Sequence, residues 1–260
     1  MKLGFVGTGA ISDAVIRGVL RSDCAVDEII VSRRSEHISQ KLAADFDRVR
    51  VEDDNQAIID QADVIFLAVL PQLSKEILSG LHMPDDKKVV SLIATIPIAD
   101  MKAWLDTDAR FDRAIPLPPV EHHSCVTAVY PGSPDVMALF EKLGGAVAAK
   151  TIDAFDGYAT GSALMGTYFT VLENAAQWMV AQGSDYADAR RYLAALFAGL
   201  SENTAKSPDQ GFADLYEGHI TAGGLNDQVA QTFLREKGGA AIHTALDEVF
   251  ARVKAASKGG

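Results

Sequence analysis

Gly7-Thr8-Gly9-Ala10-Ile11 is the segment of this chain whose residue types and spacing point most directly to chemistry. It follows the apolar run Leu3-Gly4-Phe5-Val6 and opens a stretch, Ile11 to Leu20, with apolar residues at helical spacing. Two glycines in such a turn let the chain fold back tightly and bring backbone N–H groups against a pyrophosphate. The helix N-terminus adds a partial positive charge. Ser12 stands where a third glycine often lies, and Ala14 is small enough for close packing of helix on strand. Strand, turn and helix together predict dinucleotide binding by Gly7, Thr8, Gly9, Ala10 and Ile11.

The second apolar run ends at Val31 and is followed by Ser32-Arg33-Arg34. An acid here would accept hydrogen bonds from a ribose 2′-hydroxyl; two guanidiniums and a hydroxyl suit a 2′-phosphate instead. The expected cofactor is therefore NADPH (NADP+) rather than NADH. Ala68-Val69-Leu70-Pro71 follows another strand, at the place where a doubly wound sheet reverses its order, so Ala68, Val69 and Pro71 are expected beside the nicotinamide.

Around these segments, apolar runs at Leu3–Val6, Glu28–Val31, Val64–Ala68, Lys88–Leu92, Arg113–Ile115, Cys125–Tyr130 and Ala146–Ala149 alternate with helical stretches such as Ser35–Phe46. This is the pattern of βαβ units on a parallel sheet. From Asp153 the pattern becomes helical, with an alanine-rich stretch over Tyr186–Leu200 and two last helices over Ala222–Arg235 and Ala240–Lys254. Gly183-Ser184-Asp185 and Ser207-Pro208-Asp209 read as helix stops followed by N-caps. The fold class is thus an α/β Rossmann-type doubly wound sheet followed by an all-α domain, with residues 1–150 binding NADP and residues 151–260 forming the helical part. Ser257-Lys258-Gly259-Gly260 are expected to fray.

Composition narrows the function class. The 260 residues carry 35 Asp and Glu against 24 Lys and Arg, a net charge of −11, which argues against nucleic acid or an anionic membrane as the main partner. The apolar start leaves no room for a signal peptide, and no apolar run approaches the ~20 residues of a spanning helix. Cys24 and Cys125 are far apart and form no metal or disulfide pattern. A cytoplasmic protein is expected. Glu121-His122-His123 lacks the spacing of a helical zinc site and reads as loop, so no metal site is assigned; Trp104 and Trp178 read as packing residues.

In order along nearly the whole chain, these segments resemble the pyrroline-5-carboxylate reductases. The resemblance is carried by the glycine turn, Ser32-Arg33-Arg34, Asn55, Ala68-Val69-Leu70-Pro71, Ser91-Leu92-Ile93-Ala94 and Arg113-Ala114-Ile115-Pro116. It extends to Thr160-Gly161-Ser162, similar to the family's Ser-Gly-Ser-Gly turn, and to Ile220-Thr221-Ala222-Gly223-Gly224-Leu225-Asn226, similar to its Thr-Ser-Pro-Gly-Gly-Thr-Thr segment. It implies that Asn55 reaches the adenine edge and that Ser162, Thr221, Gly223, Gly224 and Asn226 bind substrate. It also implies reduction of a cyclic imine, most simply 1-pyrroline-5-carboxylate to L-proline in proline biosynthesis. Here Ala222 stands for a proline, Leu225 and Asn226 for two threonines, Ala163-Leu164 for Gly-Pro and Leu117-Pro118 for Asn-Thr.

Gly223-Gly224 before a helix offers N–H groups to a carboxylate. A protonated imine accepts hydride readily, so positioning dominates and no side chain is assigned a catalytic role; Ser162, Thr167 and Tyr168 are candidates to touch the ring nitrogen. Other readings are reduction of a different small imine or keto acid, and an inactive NADPH-binding regulator. An alcohol–ketone couple is disfavoured because no lysine lies between Thr151 and Ala205. If the helical domain is like the family's, its helices rich in Ala, Leu and Phe pack against a second copy, so the resemblance implies that it is a dimerisation and substrate domain forming a homodimer or higher homo-oligomer.

Overall fold

The computed structural model describes residues 1–256, so the terminal Ser257-Lys258-Gly259-Gly260 expected to fray lie outside the described residues. The chain divides into two compact units: Met1–Thr160 together with the chain from Phe250 onward, and Gly161–Val249. Assignment of all of 151–260 to one helical domain is therefore too simple. The end of the last helix belongs with the first unit, where Lys254 pairs with Asp153 and stands 3.6 Å from Asp156.

In chain order the first unit contains β1 (Lys2–Val6), α1 (Ala10–Arg21), β2 (Glu28–Ser32), α2 (Glu36–Asp45), β3 (Val49–Glu52), α3 (Asn55–Gln61), β4 (Val64–Leu67), α4 (Pro71–Leu78), β5 (Lys88–Ser91), α5 (Ile98–Leu105), β6 (Arg110–Ile115), a short 3-10 turn over Pro118–His122, β7 (Thr127–Tyr130), α6 (Pro134–Glu141), β8 (Ala146–Ala148) and α7 (Ile152–Ser162). The eight strands form one sheet in the order β3-β2-β1-β4-β5-β6-β7-β8. All neighbours are parallel except β6 and β7. Order reverses between β1 and β4. β3 is not among the strands nominated from the sequence, since Val49-Arg50-Val51-Glu52 alternates apolar with charged residues and is too short to stand out.

Helices cover both faces, which is why the central strands are continuously apolar: Val64-Ile65-Phe66-Leu67 of β4 is buried throughout. Leu3, Phe5, Val15, Val19, Leu42 and Phe140 pack on one face. Val6, Ile58, Ile59, Leu78, Met101 and Leu105 pack on the other. Phe5 lies opposite Phe66 in the β1–β4 register, their rings stacked with centroids 4.5 Å apart. That pair helps fix the register bringing the ends of β1 and β4 level, because a one-residue slip would move every side chain to the wrong face.

Glu121-His122-His123 closes the 3-10 turn and its left-handed cap, as a loop reading expects. His123 Nε2 lies 2.8 Å from the Gly18 carbonyl, and Arg21 donates to Glu121 at 2.9 Å. The segment thus clamps α1 from outside. Gly18 permits the contact: a Cβ there would lie 2.6 Å from the Val120 carbonyl oxygen.

The second unit holds α8 (Leu164–Ala181), α9 (Tyr186–Ala205), α10 (Phe212–His219), α11 (Leu225–Arg235) and most of α12 (Gly238–Ala256). Gly183 has φ +102°, and Asp185 caps α9 by accepting from Ala187 N–H, so the stop and cap fall at the anticipated residues. Ser207-Pro208-Asp209 does not cap α10. It forms a turn closed by Gln210 N–H on Ser207, and the cap is Gly211, whose N–H donates to Asp214. α11 likewise starts three residues later than the spacing suggested, because Gly223 at φ +74° breaks the helix before Gly224. The buried apolar cluster of this unit is only Ala176, Ala189 and Leu193. Trp178, read as a packing residue, is 66% exposed, whereas Trp104 does pack on the first unit's core.

Replacing Gly18 with Ala forces the Val120 carbonyl away from α1. Gly18→Ala should lower unfolding free energy in urea by about 1–3 kcal/mol, the usual cost of overpacking a tight contact. A change close to zero would show that the clamp gives way freely.

Candidate cofactor and substrate sites

The cofactor turn is built by steric exclusion. Gly7 ends β1 with φ +101°, and a Cβ on it would lie 2.5 Å from the Ala68 carbonyl oxygen at the end of β4. Gly9 is the N-cap of α1, and a Cβ there would meet no protein atom within 4 Å. One glycine is thus required by the fold, and the other leaves the outside of the turn open. Ser12, fully buried, donates to the Gly7 carbonyl at 2.8 Å. It locks the turn from within, where a third glycine would only make room.

Two residues expected to face the cofactor turn inward. Ser32 is 4% exposed; its hydroxyl accepts from Gly7 N–H at 3.0 Å and lies 3.1 Å from the Thr8 hydroxyl. Thr8, 1% exposed, donates to the Ser32 carbonyl at 2.8 Å. These bonds tie the glycine turn to the end of β2. The Ser32 hydroxyl is thereby spent on positioning, and Thr8 has only backbone to offer. Ala10, exposed, and Ile11, half-buried, open α1.

Arg33 and Arg34 are both exposed beyond β2, but they are not equivalent. Arg33 pairs with Asp53 and lies 3.3 Å from Glu36. The Asp53 carboxylate, followed by Glu36, holds the Arg33 guanidinium above its ordinary range. Arg34 makes no hydrogen bond or ion pair with the described residues and is the free cation of the two. Asp53 was not anticipated in this role. It follows β3, which lies beside β2, so the contact was hidden while that strand was not recognised.

Asn55 is the first residue of α3, half-buried, and the cap is its neighbour Asp54, which accepts from Gln56 N–H at 2.8 Å. Ala68 donates its N–H to the Val6 carbonyl, Val69 is buried, Leu70 is 55% exposed and Pro71 opens α4. Ala68 and Gly7 therefore form the floor of the crevice at the reversal between β1 and β4, where a doubly wound sheet binds its ligand. Donors, open Gly9 and an unpaired Arg34 beside the Arg33–Asp53 pair at the end of β2 fit a dinucleotide carrying a 2′-phosphate. Nearby, Arg113 of β6 donates to the Ala94 carbonyl, joining the Ser91–Ala94 and Arg113–Pro116 segments in space.

In the second unit, Thr221, Gly223, Gly224 and Asn226 do share one junction before α11, but its donors are partly taken. Gly223 N–H donates to Asp227 at 3.0 Å and Gly224 N–H to the Thr221 carbonyl at 2.7 Å. The Asn226 amide donates to the His219 carbonyl at 3.1 Å, tying the junction to α10. A bare Gly-Gly cradle is therefore not what the fold presents. The donors left for an anion are the first-turn amides of α11 at Leu225 and Asn226. Leu225 is 83% exposed. Thr160-Gly161-Ser162 is helical and ends α7 rather than forming a turn. Ser162 closes that helix, while Thr167 and Tyr168 lie on α8. Among the described residues no group of three His, Cys, Asp or Glu is arranged to hold a metal.

The family model for NADP oxidoreductases, coenzyme F420-dependent, matches residues 2–95. A pyrroline-5-carboxylate reductase of Methanosarcina acetivorans is 27% identical over 214 residues, 77% of this chain and 78% of that one. One of Vibrio alginolyticus is 22% identical across 99% and 98% of the two chains. Among solved structures, 1-pyrroline-5-carboxylate reductase of Streptococcus pyogenes superposes with a TM-score of 0.82 at 22% identity over 98% of each chain. The Plasmodium falciparum pyrroline carboxylate reductase, solved with NADP bound, gives 0.82 at 15% identity, again over 98% of each. Fold and crevice define an oxidoreductase that joins a Rossmann-type unit to a helical one. Over nearly its whole length the chain is similar to pyrroline-5-carboxylate reductases.

With Arg33 already paired, the free cation for a 2′-phosphate is Arg34. Arg34→Ala should weaken NADPH binding about tenfold or more, as loss of a charge-assisted contact does, and leave NADH within about twofold. Fluorescence titration of both cofactors checks this; equal loss for the two would remove Arg34 from phosphate recognition.

Proposed function

We propose that this protein reduces 1-pyrroline-5-carboxylate to L-proline with NADPH. The observation that carries the cofactor half is the crevice at Gly7 and Ala68 whose rim, at the end of β2, presents Arg33 and Arg34 in place of an acid. The curated relatives named as pyrroline-5-carboxylate reductases support the substrate half.

When bound, NADPH would supply the hydride that the imine carbon takes up. The chain's own contribution is placement. Amides of the glycine turn and the first turn of α1 would hold pyrophosphate, Arg34 would hold the 2′-phosphate with Arg33 beside it, Asn55 would reach the adenine, and Ala68, Val69 and Pro71 would shape the nicotinamide end. At the start of α11, the amides of Leu225 and Asn226 receive the substrate carboxylate, with Thr221, Gly223 and Gly224 setting the backbone that aims them; Ser162 is a further substrate contact. No ionisable side chain is needed to activate an imine that is already protonated.

Asp227 modulates this arrangement. Its carboxylate is half-buried at the same helix N-terminus, accepting from Gly223 N–H and, at 3.3 Å, from Gln231. A second carboxylate is drawn to that terminus by the same field and repelled by the first. The protein should oxidise NADPH, followed at ~340 nm, saturably with 1-pyrroline-5-carboxylate. Asp227→Asn, which keeps an acceptor for Gly223, should lower KM for that substrate by about two- to tenfold, the scale of one such charge interaction, with kcat little changed. NADPH binding without turnover of this or any other cyclic imine would leave a cofactor-binding regulator as the reading.

We also infer a homodimer or larger homo-oligomer through the helical unit. Phe169 and Trp178 of α8, Tyr192 of α9, Phe212 of α10, and Leu225 and Val229 of α11 are between 64% and 83% exposed, and exposed apolar side chains in such number are a mark of an interaction surface. Cytoplasmic work is consistent with two free cysteines and with no described helix long and apolar enough to cross a membrane. Light scattering on a sizing column should return at least twice the 27.8 kDa chain mass; a monomer at micromolar concentration would overturn the assembly.

A further inference from the structure

Arg113 is the largest side chain that the described residues bury almost completely, at 1% exposure, and none of the cofactor or substrate roles assigned above uses it. It stands in β6 level with Ser91 of β5 and Tyr130 of β7. One guanidinium N–H donates to the Ala94 carbonyl, and the guanidinium carbon lies 4.6 Å from the centroid of the Phe155 ring of α7. Burial pushes this guanidinium below its ordinary range, while Asp156, followed by Tyr130, pulls it back. Asp156 is met in turn by Lys254 at 3.6 Å. Neighbours on β7 and α7 thus hold the charge in place, and a side chain packed this closely has few rotamers open to it. The donor that reaches Ala94 is therefore fixed in space.

The backbone it holds lies at the crevice. β4, β5 and β6 are parallel neighbours, so their carboxyl ends open on one edge of the sheet, the edge that carries the ligand in a doubly wound fold. The link from β5 to α5, residues 92–97, leaves the sheet there beside Ala68 to Pro71. Leu92 N–H donates to the Leu67 carbonyl at 2.8 Å, one residue before Ala68, and the buried Ser91 hydroxyl accepts from Ile93 N–H at 3.2 Å. Ala94 then opens the turn that redirects the chain toward α5. One end of the link is thus bonded to the crevice floor, and Arg113 pins the turn that follows. We propose that Arg113 is a positioning residue for the nicotinamide ring: by holding the Ala94 carbonyl it fixes the link after β5 as a wall of the nicotinamide end of the crevice. Arg113 itself touches neither cofactor nor substrate. Placement of a hydride donor is exacting, since a misplacement of about 1 Å can cost about a hundredfold in rate.

This role rests on the NADPH reading above, and two probes keep the two apart. Calorimetric titration of the full-length protein with NADPH, and with 2′-phospho-ADP-ribose, which is the same molecule without its nicotinamide, reports the two ends of the crevice separately. Arg113→Met should weaken NADPH about threefold or more, the scale of one lost hydrogen bond, and leave 2′-phospho-ADP-ribose within about twofold. The fluorescence emission of NADPH at saturation should move toward that of free NADPH, because the ring is no longer held in one environment. Phe155→Leu removes the ring beside the guanidinium and keeps an apolar side chain. It should shift both readouts in the same direction, and it serves if Arg113→Met does not fold. Equal weakening of the two ligands would mean general damage to the unit and overturns the positioning role. So would NADPH affinity and emission unchanged in the folded variants. A wild-type protein that binds neither ligand would overturn the NADPH reading itself, and the role of Arg113 with it.

Discussion

The organisation of the first unit depends on one close approach. Gly7 lies against the backbone of Ala68 so tightly that a single added carbon would sit 2.5 Å from its carbonyl oxygen. The approach follows from the sheet: β1 and β4 are neighbours with Val6 level with Leu67, so the chains leaving them must share the same few ångströms. They diverge afterward, one into α1 and the other into α4, and the gap between them is the crevice. The stacked Phe5 and Phe66 hold the register from below, and Ser12, Ser32 and Thr8 fix the turn from the sides. A site that binds through backbone amides needs this rigidity, because an amide can be aimed only by fixing the chain that carries it.

Electrostatics in this acidic chain work through pairing rather than bulk charge. Arg33 is drawn to Asp53 and Glu36, leaving Arg34 as the rim's unpaired cation. These exposed pairs contribute little stability and are screened by salt; their effect is to decide which guanidinium is free. Arg113 and Asp156 are in the opposite situation. Away from water and not joined to one another, they are met inside the chain, Arg113 by the Ala94 carbonyl and the Phe155 ring and Asp156 by Lys254 at 3.6 Å.

The helical unit shows how a fold can keep its element pattern and change its chemistry. Gly223 and Gly224 shape the start of α11 as the sequence suggested, yet Asp227 and Thr221 take up their N–H groups and Asn226 reaches back to α10. Helix N-termini attract anions from whatever source is nearest. An acid three residues into α11 is such a source, and it competes with any anion arriving from solution.

The sequence alone determined the βαβ order, the glycine turn, the arginines after β2 and the change to helix near Asp153, because each is written in local periodicity or in residues with special backbone freedom. It located the start of α9 at Asp185 for the same reason. It missed β3, whose four residues mix charge with apolar character and owe their extended form to β2 alongside. It also misjudged what several side chains do. Ser32 and Thr8 turned inward, the N–H groups of Gly223 and Gly224 were already bonded, Trp178 lies largely exposed, and Lys254 returned to the first unit to pair with residues about a hundred positions earlier. Partners so distant in the chain leave no periodic trace. Tertiary structure alone decided which polar groups were spent holding the fold and which remained to meet a ligand, because a hydrogen bond depends on where its partner lies in space and not on where it lies in the sequence.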